Sequence, residues 1–109
     1  MKLLITIFFT LLLGFAGSSY GQSFEETKLL AEQGDALAQN RLGGMYDNGR
    51  GVPQNNIRTY VWYSVAAAQG NGSARADRDI VSERLTPAGR ELAQQIATKC
   101  FESDFQDCE

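Results

Sequence analysis

Apolar positions along the chain fall into blocks with helical spacing, divided by glycine, proline and capping residues. Ser23 followed three residues later by Glu26 makes a capping box, and it opens a predicted helix that begins at Phe24 and stops at Gln33-Gly34. Asp35 is an N-cap for a second helix, Ala36 to about Asn48, whose apolar residues Leu42, Met45 and Tyr46 recur at intervals of three and four. Gly49-Arg50-Gly51-Val52-Pro53 then breaks the chain. A third helix is predicted from about Asn56 to Ala68, with Ile57, Tyr60, Val61 and Val65 as its apolar stripe. Gln69-Gly70-Asn71 ends it as Gln33-Gly34-Asp35 ends the first. A fourth follows from about Ser73 to Arg84. Thr86-Pro87, an N-cap and first-turn pair, opens a fifth from Ala88 to about Cys100. Nothing between Ser23 and the C-terminus alternates as a strand does.

The segment before Ser23 follows a different rule. Met1-Lys2 is a positive tip, Leu3 to Ala16 is apolar apart from two threonines and a glycine, and Gly17, Ser18, Ser19 and Gly21 are small. That order describes a secretory signal peptide over residues 1–21, cleaved after Gly21 or, as runner-up, after Ser18. The run is shorter than the roughly 20 apolar residues that span a bilayer. No cysteine stands near the exit, which argues against a lipid anchor. The expected product is residues 22–109, periplasmic or secreted, without stable membrane insertion.

The blocks repeat. Gln33-Gly34 and Gln69-Gly70 stand 36 residues apart, and so do Ala31 and Ala67, and Ala38 and Ala74. A period in the thirties denotes paired helices stacked into a solenoid. The copy decays after Ala76, as a terminal repeat facing water does. The fold expected is all-α: a short α-solenoid of about five helices in antiparallel pairs, with a complete repeat at about 34–70 and a divergent C-terminal cap at 71–109.

Ala36-Leu37-Ala38-Gln39, Leu42-Gly43, Met45-Tyr46, Gly49, Gly51-Val52-Pro53-Gln54-Asn55, Trp62-Tyr63, Ala66-Ala67 and Gln69-Gly70 together resemble one Sel-like repeat, a relative of the tetratricopeptide repeats. The resemblance is dense from Gly34 to Gly70. Residues 23–33 resemble the second helix of a preceding repeat, and 71–109 resemble the family through spacing alone. The resemblance implies antiparallel helix pairs in a curved right-handed solenoid, and a role as an adaptor or regulator that binds another protein. The residues themselves agree with such packing. Ala36, Ala38, Gly43, Ala66 and Ala67 allow close helix approach, and Tyr46, Trp62 and Tyr63 are large enough to fill the space between helices. The Trp62-Tyr63 pair reads as core, against the alternative of an exposed ligand platform.

Composition narrows the chemistry. The 109 residues carry a formal charge of −3 and no histidine. Without histidine the commonest general base, the usual zinc ligand and every Ser-His-Asp or Cys-His arrangement are gone. Lys28 and Lys99, the lysines after the leader, are not placed for serine–lysine catalysis. Glu25-Glu26, Asp77/Asp79 and Asp104/Asp107 read as solvated surface pairs, not as the facing carboxylates of a glycosidase. Asp104, Asp107 and Glu109 lack the glycine-punctuated loop of a calcium site. No catalytic residue, cofactor or metal ligand is assigned, and the reading is of a non-enzyme. An acidic chain without a basic cluster does not suit nucleic acid.

Two cysteines, Cys100 and Cys108, lie near the C-terminus, and an oxidising compartment favours joining them. Eight residues of straight helix rise about 12 Å, beyond the reach of a disulfide. A bridge therefore requires the last helix to end between them. The candidate partner is another protein. An immunity-type role against an envelope toxin is a special case, and Arg41, beside Leu42 on the best-matched helix, is the candidate binding-surface residue. The alternative is a small ligand of the cell wall, a β-lactam or peptidoglycan fragment. It draws on cysteine-rich members of the family, whose repeats carry cysteines that this chain lacks before Cys100.

Overall fold

The structure is a computed structural model, and it describes residues 23–109. The expected leader and its cleavage site lie outside the described residues. Five helices follow in order: α1 Phe24–Glu32, α2 Ala36–Asn48, α3 Asn56–Ala68, α4 Gly72–Arg84 and α5 Pro87–Glu102. Among the described residues there are no strands.

Each helix begins where a side chain can take an orphan amide. Ser23, Asp35, Asn55, Asn71 and Thr86 are the five N-caps, each accepting from the amide three residues on. Pro87 occupies the first turn of α5, so that helix starts one residue earlier than its sequence suggests.

The 36-residue repeat has a physical counterpart at the turns. Gly34 and Gly70 have φ of 98° and 97°, backbone values that only glycine adopts without strain. Around them the same bonds recur. The Gly34 amide donates to the Ala31 carbonyl and the Asp35 amide to the Leu30 carbonyl, as those of Gly70 and Asn71 do to Ala67 and Ala66. These are Schellman closures, which satisfy the last carbonyls of α1 and α3 and turn the chain straight into the next helix. The three-residue connections make α1–α2 and α3–α4 antiparallel hairpins.

The core is organised about α3. One cluster joins Ala31, Ala38, Leu42, Met45 and Tyr46 to Val61, Trp62 and Val65, and extends to Ala97, Cys100 and Cys108. A second joins Tyr60, Tyr63, Ala66 and Ala67 to Ala74, Val81 and Ala93. The single stripe expected on α3 is therefore incomplete. From Thr59 to Ala67 every residue but Ser64 is buried, because α2, α4 and α5 all pack on this helix. A helix with one apolar face would suit an edge position, and α3 is central.

Two further features fix the hairpins against each other. Gln39, fully buried, donates from Nε2 to the Ala31 carbonyl (3.0 Å), and its Oε1 accepts from Gln69 Nε2 (2.6 Å). A buried amide is tolerated because both of its ends are bonded. Gly43 lets α3 approach α2: a Cβ there would lie 2.6 Å and 2.7 Å from two carbons of the Tyr63 ring. At Gly44 the nearest atom is the Tyr63 hydroxyl, 3.6 Å away, an ordinary contact. The neighbouring glycines should thus respond oppositely to alanine. Gly43→Ala is expected to lose about 1–2 kcal/mol through overpacking, whereas Gly44→Ala gains up to about 1 kcal/mol of helix propensity. Urea melts of the two variants check this.

Candidate functional site

With α3 buried, the surfaces left for recognition belong to the helices packed around it. On α2, Asn40, Gly44 and Asp47 follow one another at spacings of four and three, so they form one strip. On α4, Asp77 and Arg84 are seven residues apart and share a strip in the same way. Both helices pack on α3, and the cleft between them is the groove over Tyr63, whose ring meets Gly43 of α2 and clusters with Ala74 and Val81 of α4. Arg84 bridges the two helices with an ion pair to Asp47.

Tyr63 is 6% exposed, and its ring lies against Gly43. Its hydroxyl behaves differently from the ring. It makes no hydrogen bond with the described residues, yet it is not among their fully buried orphan oxygens, which are Asn40 Oδ1 and Ser64 Oγ. The hydroxyl thus meets solvent through the gap left by Gly44. Burial, then the nearby carboxylates of Asp77 and Asp47, push its pKa up to about 12, against a smaller lowering by Arg84.

The sign of the resulting pH dependence follows. An unfolded tyrosine ionises near pH 10, so the folded state keeps the phenol proton to higher pH than the unfolded chain does. The stability this represents is whole below about pH 10 and is lost as pH rises to about 12. Tyr63→Phe is expected to flatten that part of the stability–pH curve, read by denaturant melts between pH 9 and 12.

Arg41 is exposed on α2, one turn before Gly44 and one turn after Leu37, which is 61% exposed. Helical spacing places it beside the strip of Asn40, Gly44 and Asp47. Ile80 of α4, 55% exposed, stands between Asp77 and Arg84. The Asp77/Asp79 pair does not act as a pair. Asp79 is exposed and bonds Arg78 at 2.9 Å, while Asp77 is half-buried and has no ion pair among the described residues. Trp62, 2% exposed, and Tyr63, 6% exposed, are core residues.

Cys100 and Cys108 are joined by a disulfide, with Cα atoms 4.3 Å apart. The bridge needs a bend in non-glycine backbone, and Asp104 and Phe105 provide it with φ of 54° and 66°. The resulting hook reaches back to the first hairpin. Phe105 packs over Gly34, and Gln106 Nε2 donates to the Glu32 carbonyl at 2.8 Å. Lys99–Asp107 and Arg58–Glu109 ion pairs flank it. Among the described residues no group of three or more acids or cysteines is placed to hold a metal ion, and no helix is long and apolar enough to cross a membrane.

Residues 36–71, which contain α2, the Gly49–Asn55 turn and α3, match the family model of the Sel1 repeat. The chain carries a Sel1 repeat. The repeat supplies the Asp47 wall and the Tyr63 floor of the cleft, and the following helix supplies Asp77 and Arg84. No curated protein and no solved structure matches the chain.

Sequence reasoning did not find the cleft. Asp47 and Arg84 are 37 residues apart, close to the repeat period, and the Gly43-Gly44 pair marks where an aromatic approaches. Those were the available signals.

Proposed function

We propose that the chain is an exported protein-binding module, an adaptor or regulator that seats a segment of its partner in the α2–α4 cleft. The observation carrying this reading is the cleft itself. The Sel1 repeat, a repeat type that suggests protein interaction, has its aromatic bulk beneath and Leu37 outward, and the helix that follows it carries Ile80 outward. Exposed apolar side chains beside charges are the composition of a docking surface. Arg41 belongs to the same surface. Export rests on the leader over residues 1–21, and the disulfide is in keeping with an oxidising compartment. Within this class, an immunity-type protein that holds an envelope toxin is the most specific form of the role.

The second reading, a small ligand of the cell wall, draws on a recess of about 290 Å³ between α3 and α5. Its lining includes Ser64, Val65, Ala97, Thr98, Phe101 and the carboxylate-bearing Glu102. Ser64 Oγ, close by, is buried without a partner among the described residues.

Capture from envelope extract on the immobilised mature chain separates the two. The account expects a captured protein that is lost with Leu37→Asp/Ile80→Asp, whose two sites are exposed and tolerate substitution. Undiminished capture by that variant would count against the cleft. Retention of peptidoglycan fragments in place of a protein would favour the second reading.

A further inference from the structure

The cleft has an unbalanced interior. Of the two carboxylates nearest Tyr63, Asp47 is engaged by Arg84, while Asp77 is half-buried with no counter-ion among the described residues. Tyr63 clusters with Ala74 and Val81, about one turn to either side of Asp77, and its phenol oxygen, on a side chain more than nine-tenths buried, has no hydrogen-bond partner among the described residues. A carboxylate and a phenol oxygen both accept hydrogen bonds, and together they call for a donor with positive charge. The other cations of α4 are placed elsewhere: Arg78 is paired with Asp79, and Arg75 lies on the far side of the helix from Asp77. Gly44 keeps the approach open, since any side chain there would stand over the hydroxyl.

We propose that the Tyr63–Asp77 end of the cleft receives a lysine or arginine side chain from the bound protein. This rests on the reading of the cleft as a protein-docking surface and specifies which residue type it selects. The incoming N–H groups donate to Tyr63 Oη and to the Asp77 carboxylate, and the Arg84–Asp47 pair stays in place beside them. The partner segment is thus basic, complementary to a chain of net charge −3.

Amide NMR titration of the oxidised mature chain tests this with three capped tripeptides, Gly-Arg-Gly, Gly-Lys-Gly and Gly-norleucine-Gly. The arginine and lysine peptides are expected to shift the amides of Gly44, Asp47, Tyr63 and Asp77, and the norleucine peptide is not. Asp77→Asn should weaken the arginine peptide about fivefold with an unchanged melting curve, and Tyr63→Phe should also weaken it. Equal shifts from the norleucine peptide would overturn the cation site while leaving the cleft a docking surface. Shifts confined to α5 would remove both. Unaltered binding by Asp77→Asn would overturn the assignment of that carboxylate.

Discussion

Trp62→Ala is expected to cost the domain about 3–5 kcal/mol, the range for removing a large buried aromatic side chain. The indole is 2% exposed and sits on α3 in the cluster that ties α1, α2 and α5 together. Stability of so small a domain amounts to only several kcal/mol. The variant should therefore be largely unfolded near 37 °C, with its far-ultraviolet circular dichroism signal collapsing well below the wild-type melting temperature. Ile80→Ala, on the exposed face of α4, should stay within about 0.5 kcal/mol of wild type. If Trp62→Ala melted as the wild type does but lost its partner, the indole would be a recognition residue and not core.

Reduction of Cys100–Cys108 should have the next largest effect. The bridge closes a loop of about nine residues, worth about 2–3 kcal/mol in the chain-entropy estimate. Its loss reaches beyond that loop, because the hook carries Phe105 to Gly34 and Gln106 to the end of α1, and both cysteines lie in the main core cluster. The melting temperature is expected to fall by about 10–20 °C, at roughly 4–8 °C per kcal/mol for a domain of this size. Cleavage by trypsin after Lys99 should quicken in parallel. Cys100→Ser/Cys108→Ser should reproduce the reduced melt without a reductant. A melt indifferent to reductant, with two thiols titrating in the native protein, would contradict the bridge.

The helices were legible because their limits are set by local chemistry. Asp35, Asn55, Asn71 and Thr86 accept from amides three residues on, and Gly34 and Gly70 supply backbone that other residues adopt only under strain. The burial of α3 on every side was not legible, since stripe reasoning presumes one face towards the core and α3 has three neighbouring helices. Gln39 was hidden for a related reason: a glutamine reads as surface unless its two bonding partners, which come from α1 and the end of α3, are already placed. The hook was half legible. The spacing of Cys100 and Cys108 demanded that α5 end between them, and it ends at Glu102. The turn itself uses Asp104 and Phe105 in left-handed conformations that no residue type announces. The cleft eluded the sequence most. The 36-residue period aligns Asp47 with Glu83, yet the neighbour that reaches it is Arg84, because side-chain length and helix rotation decide such pairings.

Site-specific photocrosslinking in the envelope tests the docking surface most directly. A photoreactive phenylalanine analogue placed at Ile80, or at Leu37, reports what touches the cleft. The same analogue at Leu92, 47% exposed on α5, reports a surface outside it. The account predicts a discrete protein adduct from Ile80 and Leu37 and none from Leu92. An adduct from Leu92 with none from Ile80 or Leu37 would contradict it.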